Sequence, residues 1–333
     1  MNDQLEKHHL KRDDLVPKLT EQAAHSGWKA GIFSFGLAEK DHVDYFNPGI
    51  VERPDGLWLL VRRSIFEDRL RFGRNAIYAF ALGEPDGITP LRGVKVQMMP
   101  SKPEEQFEDP RAVVFGGRTW IGACNFVWFG DRNRWTGGHQ ILVPVDDKWV
   151  AVSRYDPDYG KNGGGLGQNR GHEKNWLWWF HSQKPHMLYA GPPNHEIVEF
   201  DGEMRQSQVY KTTSECPWPH GVIRGGTPPV RVGDEYWTFF HSSMEWKPPY
   251  RRYFMGAYAF KAEPPFNVTK VTAEPLLIGS QNDYWFPRKP LVVFPCGALL
   301  REGKWLITLG VNDLKCGWVE IPHDDLTILV SDL

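Results

Sequence analysis

Carboxylates, amides and cations recur at the heads of short β-forming phrases along this chain. Read in order they are Asn47; Glu108, Asp109 and Arg111; Glu173, Lys174 and Asn175; Arg224 with Thr227; and Phe294. If those phrases are strands arranged around one axis, their lead residues become neighbours although far apart in sequence. A pocket holding carboxyls, cations and amides can break a glycosidic bond. That reaction needs a proton at the leaving oxygen and a nucleophile reaching the anomeric carbon from the other side. Asp109 is the first candidate for the acid. The same residue, standing before Pro110, would serve equally well as a turn cap, and the tetrapeptide alone does not choose. Lysines and arginines usually lie on solvated faces, but Lys174 has Trp176, Trp178 and Trp179 close behind it.

The elements that must position these residues show as a repeated phrase: a Gly/Pro turn, a few β-formers, a second turn, then Trp followed by alternating apolar residues. It reads Asn47-Pro48-Gly49 with Trp58, Asp109-Pro110-Arg111 with Trp120, Thr227-Pro228-Pro229 with Trp237, and Phe294-Pro295-Cys296-Gly297 with Trp305. A weaker copy, His172 to Asn175 before Trp176, fills the gap, so copies begin roughly every 60 residues. Five such units predict an all-β fold, a five-bladed β-propeller, which buries strand faces by radial repetition and leaves only short edges. The predicted organisation is an N-terminal arm over 1–30, partly helical, with Pro17 interrupting any single helix, then one propeller catalytic domain over 31–333. The segment Leu326–Val330 is expected to pair with an early strand and seal the ring. The stretch from Tyr155 to Arg170 is rich in glycine but lacks the Gly-Lys-Ser/Thr of a phosphate loop. It is expected to be a mobile loop over the site.

Composition narrows the function. The net charge of -2 and the lack of a basic stripe argue against nucleic acid as a partner. No run approaches membrane-spanning length and the first residues lack the apolar stretch of a signal peptide, so a cytoplasmic protein without a membrane partner is expected. Cys124, Cys216, Cys296 and Cys316 stand far apart, without metal-ligand spacing, and read as buried free thiols in a reducing compartment. The histidines, His8-His9 and His181 with His186 among them, form no convincing ligand set, so no metal and no cofactor are expected. Fifteen Trp and nineteen Phe are first a supply of inter-blade core. Trp also stacks on sugar rings, so some are expected to line a polar cleft.

Several phrases together resemble glycoside hydrolase family 130, the inverting β-mannoside phosphorylases and their hydrolytic relatives. They are Phe46-Asn47-Pro48 with Leu59-Leu60-Val61-Arg62; Glu108-Asp109-Pro110-Arg111; Glu173-Lys174-Asn175; Gly225-Gly226-Thr227-Pro228-Pro229; Phe240-His241; Tyr253 to Ala257; and Val293 to Gly297 with Asn312-Asp313. The resemblance spans about Asn47 to Asp313. It implies a five-bladed propeller acting on a β-linked mannosidic oligosaccharide or glycoside, with Asp109 as general acid donating through the sugar 3-hydroxyl. It also implies that Asn47, Arg62 and Asp313 hold the mannosyl unit, beside Arg111 of the acid's own phrase. Lys174 and His241 would face inorganic phosphate, the co-substrate that replaces water in phosphorolysis.

The chain departs from the family pattern in carrying Phe240 before His241, where the family usually has Tyr, and in offering no arginine pair that aligns with the phosphate grip. If water attacks instead, Glu173 is the nearest carboxylate base. Phosphorolysis and hydrolysis therefore both stand, as does mannosyl transfer from an activated donor. The rival readings are an arabinanase- or invertase-like glycosidase, disfavoured by Asn47 where those enzymes use Asp, and a non-catalytic glycan-binding propeller. Homo-oligomerisation is compatible with all of them.

Overall fold

The alternation of apolar side chains along each strand, one to either face, gives every sheet two buried faces, and the chain solves this by stacking five sheets face to face in a ring. The computed structural model describes residues 17–35, 43–65, 74–83, 89–129, 134–157, 175–245, 251–280 and 291–333. After helix α1 (Leu19–His25) and strand β1 (Lys29–Ile32), blade one comprises β2 (Val43–Arg53), β3 (Gly56–Ile65), β4 (Arg74–Gly83) and β5 (Thr89–Lys95). Blade two has β6 (Glu105–Phe115), β7 (Arg118–Phe129) and β8 (Arg134–Val145), and blade three has β9 (Leu177–His181), β10 (Lys184–Ala190), β11 (Asn194–Phe200) and β12 (Gln206–Thr213). Blade four is built on β13 (Val230–Val232), β14 (Glu235–Glu245), β15 (Arg251–Lys261) and β16 (Val268–Thr272), with the short β17 (Leu277–Ile278) on β15. Blade five consists of β18 (Val293–Arg301), β19 (Lys304–Val311) and β20 (Lys315–Pro322).

The layers between blades carry the stability. Leu60, Ile77 and Ala79 of blade one meet Phe107, Ile121 and Val143 of blade two. Leu142 meets Trp176, Trp178 and Phe200 across the next layer. Trp179 and Ile197 then pack on Phe240, Tyr258 and Phe260. Trp237 and Phe239 pack on Trp305 and Ile307, and Leu306 and Cys316 return to Leu59, Val61 and Phe80. Neighbouring residues such as Leu59 and Leu60, or Phe239 and Phe240, serve opposite layers, as the period of two requires. The tryptophans Trp149, Trp176, Trp178, Trp179, Trp237 and Trp305 are all core. The repeat's Trp58, Trp120, Trp237 and Trp305 all lie in the second strand of their blades, whereas blade three carries Trp178 and Trp179 on its first strand, β9.

The ring is sealed from the other terminus than expected. β1 pairs antiparallel with β20, from Lys29 opposite Glu320 to Ile32 opposite Gly317. The arm docks through Leu19 and Ala23, one helical turn apart on the buried face of α1. The Gln22 amide completes the edge of β17, donating to the Ile278 carbonyl at 2.8 Å and accepting its N–H at 2.9 Å. The C-terminal segment instead forms helix α2 (His323–Leu329), followed by β21 (Val330–Asp332) on the outer strand β16 of blade four. Asp324 and Asp325 in its first turn suit the positive end of a helix, and Trp28 Nε1 donates to Asp325 at 3.0 Å. Leu326 is buried while Ile328 is exposed, a helical rather than an alternating burial pattern.

Two buried histidines in and beside the layer between blades three and four make the fold acid-sensitive. Burial holds His195 down to about 3, against its Nδ1 bond to the Phe266 carbonyl, and burial holds His186 down to about 4. Both folded values lie below the ordinary 6.5, so the stabilisation is complete above pH 6.5 and is lost as pH falls toward 4 and then 3. At pH 5 each imidazole is expected to cost about 2 kcal/mol, from ~1.4 kcal/mol per unit. The urea midpoint should drop between pH 7 and pH 5, and His195→Gln should remove about half of that drop. An identical pH dependence in the variant would contradict this account.

Candidate active site

Asn47 and Asp109 owe their positions to a β-bulge. The pairing of β2 with β3 shifts register between Phe46 and Gly49, and that of β6 with β7 between Glu108 and Arg111. The inserted Asn47 and Asp109 have left-handed backbones, φ 52° and 51°, a conformation that Asn and Asp tolerate better than other non-glycine residues. Asn175 at the head of blade three (φ 70°), and Asn312 and Asp313 (φ 56° and 54°) in the β19–β20 turn of blade five, repeat the device. Close approach at the axis demands glycine: a Cβ on Gly49 would sit 2.6 Å from the Pro110 carbonyl, and one on Gly310 would overlap Asn47 Oδ1.

The bulges bring Asn47 and Asp109 into direct contact. Asn47 Nδ2 donates to Asp109 Oδ1 at 2.7 Å. Arg62, which β3 places opposite Phe46 and over its ring at 4.7 Å, donates from Nη1 to the same oxygen at 3.1 Å and reaches Glu108 Oε2 at 2.7 Å. All four side chains are buried. Burial pulls the Arg62 pKa down, but Glu108, Asp109 and Asp313 together outweigh it and leave it raised, so the guanidinium is a permanent charge here. That coupling also places Asp313, 6% exposed, within electrostatic reach of the cluster. Asn312 beside it is a brace, donating to the Ser280 carbonyl at 3.1 Å and accepting the Val292 N–H at 2.9 Å.

Arg111, expected among the substrate contacts, is placed as a tie between blades. Its Nε donates to the Gly226 carbonyl at 2.6 Å, Nη1 to the main-chain carbonyl of Asp109 at 3.1 Å, and Nη2 to Asn175 Oδ1 at 3.4 Å. Its guanidinium lies 5.4 Å from the Phe294 ring centroid. It thereby fixes the acid's backbone against blades three, four and five. His241 also packs against Phe294, 4.5 Å between centroids, and stacks on Tyr253 at 5.9 Å and 12°. Its main chain pairs with that of Arg224. Arg154, another cation between Asp109 and Lys174, is committed to Glu105 at 2.6 Å and Asp156 at 2.8 Å. Glu173, Lys174 and the glycine-rich segment from 158 onward lie outside the described residues.

The structure thus gathers Asn47, Arg62 and Asp109 into one bonded group, with Asp313 in electrostatic reach, and sets Arg111 and His241 on a shared wall. Sequence reasoning missed the partnership of Glu108 with Arg62, and the residues behind Arg62 on β3 and β4. Glu108 was visible only as part of the Glu-Asp-Pro-Arg phrase. Cys124, Cys296 and Cys316 are buried free thiols, while Cys216 is half-buried. Among the described residues no cluster of His, Cys, Asp and Glu could hold a metal ion, and no helix is long and apolar enough to cross a membrane.

Residues 172–331 match the glycoside hydrolase 130 family model, described as beta-1,4-mannooligosaccharide phosphorylase. No curated protein matches the chain. Among solved structures, a β-1,2-mannobiose phosphorylase from Listeria innocua in complex with β-1,2-mannobiose superposes with a TM-score of 0.62 at 15% identity, covering 88% of this chain and 94% of that one. A glycosyl hydrolase from Bacteroides ovatus gives 0.64 at 14% identity, with 95% and 96% covered. A GDP-Man-dependent mannosyltransferase from Leishmania mexicana gives 0.61 at 14% identity, with 88% and 90% covered. These likenesses show the fold.

Proposed function

We propose, from the family 130 match over residues 172–331 and the Asn47–Asp109–Arg62 cluster, that this chain is a carbohydrate-active enzyme that cleaves or transfers β-mannosyl units with inversion. The observation that carries the reading is the meeting of two blades' bulge residues in a hydrogen bond, Asn47 to Asp109, beneath a buried arginine. A carboxyl held by two donors on one oxygen has a fixed orientation, which is what proton delivery to a bound sugar needs. Asp109 is the acid, while Asn47, Arg62 and Asp313 hold the mannosyl unit. His241 belongs to the side from which the nucleophile comes, with Lys174 for phosphate or Glu173 for water. Arg111 sets the acid's backbone rather than the sugar.

The buried ion pairing favours catalysis over simple glycan binding, since a lectin gains nothing from enclosing Glu108 and Asp109 around Arg62 at a desolvation cost. The test is product formation from β-linked manno-oligosaccharides with and without inorganic phosphate, and from a nucleotide-activated mannose with a mannoside acceptor. Mannose 1-phosphate appearing only with phosphate identifies phosphorolysis, free mannose in either case hydrolysis, and chain extension transfer. No product in any arm would refute the enzymatic reading.

A further inference from the structure

The far side of Arg62 is as fully bonded as the side that meets the acid. Its Nε donates to Asn75 Oδ1 at 3.1 Å and lies 3.3 Å from Ser64 Oγ. Ser64 and Asn75 are cross-strand partners on β3 and β4, and their side chains touch through the Ser64 hydroxyl. Both are buried. The main-chain N–H of Asn75 is taken by Gln106 Oε1 at 2.8 Å. Gln106 lies on β6 two positions before Glu108, so a closed circuit runs from blade two through Gln106, Asn75 and Arg62 back to Glu108 and Asp109 on the same strand.

We propose that Asn75, supported by Ser64 and Gln106, is a positioning residue that sets the roll of the Arg62 guanidinium and so holds Nη1 on Asp109. The inference rests on the function proposed above. A guanidinium is a rigid planar fork, so fixing Nε fixes the directions of both terminal nitrogens. An arginine restrained only by the carboxylates could satisfy them through several orientations, and each would move Asp109 Oδ1. Misplacement of a reacting group by about 1 Å can cost on the order of 100-fold in rate. Supporting bonds behind a contact residue commonly decide whether a site is tight enough to work. Only the acceptor oxygen of Asn75 matters in this scheme, and its Nδ2 has no hydrogen-bond partner among the described residues. The Gln106 link adds a second consequence: the sugar-holding arginine of blade one and the acid of blade two cannot shift relative to each other without breaking it.

The experiment uses two variants of equal shape. Asn75→Leu removes the acceptor, and Asn75→Asp keeps an oxygen for the Arg62 Nε–H. In Asn75→Leu, kcat on the best mannoside is expected to fall about 10- to 100-fold, and hydrogen exchange at Arg62 Nε–H, followed by NMR, to quicken at least about tenfold as its acceptor goes. Asn75→Asp should recover most of both. Gln106→Met, outside the bonded trio, should show the same pattern more weakly and stands in if Asn75→Leu does not fold. A folded Asn75→Leu, or in its place a folded Gln106→Met, with parental turnover or parental Nε–H protection overturns the proposal. Should the parent turn over no mannoside, the functional reading fails, while the exchange measurement still decides whether Asn75 holds Arg62.

Discussion

An Asp109→Asn enzyme is expected to bind its sugar and scarcely turn it over, with kcat reduced about 1000-fold or more and the fold retained. The side chain keeps its size, and its carbonyl oxygen can take the Oδ1 place to which Asn47 and Arg62 donate. What disappears is the capacity to carry a transferable proton. Arg62 still has Glu108 at 2.7 Å, so the buried cation is not stranded and the urea midpoint should move little. A mannoside whose leaving group departs without protonation, such as a nitrophenyl glycoside, should suffer a much smaller loss, because the acid is needed only where the leaving oxygen is basic. Turnover above a tenth of the parent's on unactivated mannosides would show that Asp109 is not the acid. A loss equally large on the activated glycoside would move its role to binding.

The readable part of this site is the part written into repeated phrases. Asn47-Pro48 and Asp109-Pro110 recur at mid-strand bulges of β2 and β6, where each blade turns a side chain toward its neighbour. The residue that does so has a left-handed backbone, which favours Asn, Asp or Gly. Repetition also exposed the blade count, since Trp58, Trp120, Trp237 and Trp305 fill equivalent places in second strands. Blade three, whose β9 is five residues long, lost the phrase and with it the spacing. Asn75 and Ser64 left no such trace. They lie on second and third strands, are polar in otherwise apolar alternation, and acquire meaning only when Arg62 is seen to need an acceptor. The closure of the ring was misread for a related reason. Leu326 to Val330 has β-forming composition, but two aspartates ahead of it favour a helix start, and the four-residue Lys29–Ile32 carried no strong pattern of its own.

Removing Arg62 is expected to be the most destabilising single change in the site. Arg62→Met keeps much of the apolar stem over Phe46 but leaves Glu108 and Asp109 buried, at 7% and 3% exposure, without the cation they share. Breaking a buried pair by deleting one partner costs about 3–5 kcal/mol, because the remaining charge is uncompensated. One prediction separates this cause from lost packing. Adding Glu108→Gln to Arg62→Met should restore part of the loss, since one of the carboxylates that Arg62 contacts then carries no charge. Arg62→Lys should rescue poorly: an ammonium is a point charge and cannot at once reach the two carboxylates and give Asn75 the in-plane N–H that Nε supplies. Urea unfolding of the four proteins checks all of this. A loss below about 1 kcal/mol for Arg62→Met would place the pair in the range of solvent-screened surface bridges, which a site closed enough to aim Asp109 does not permit.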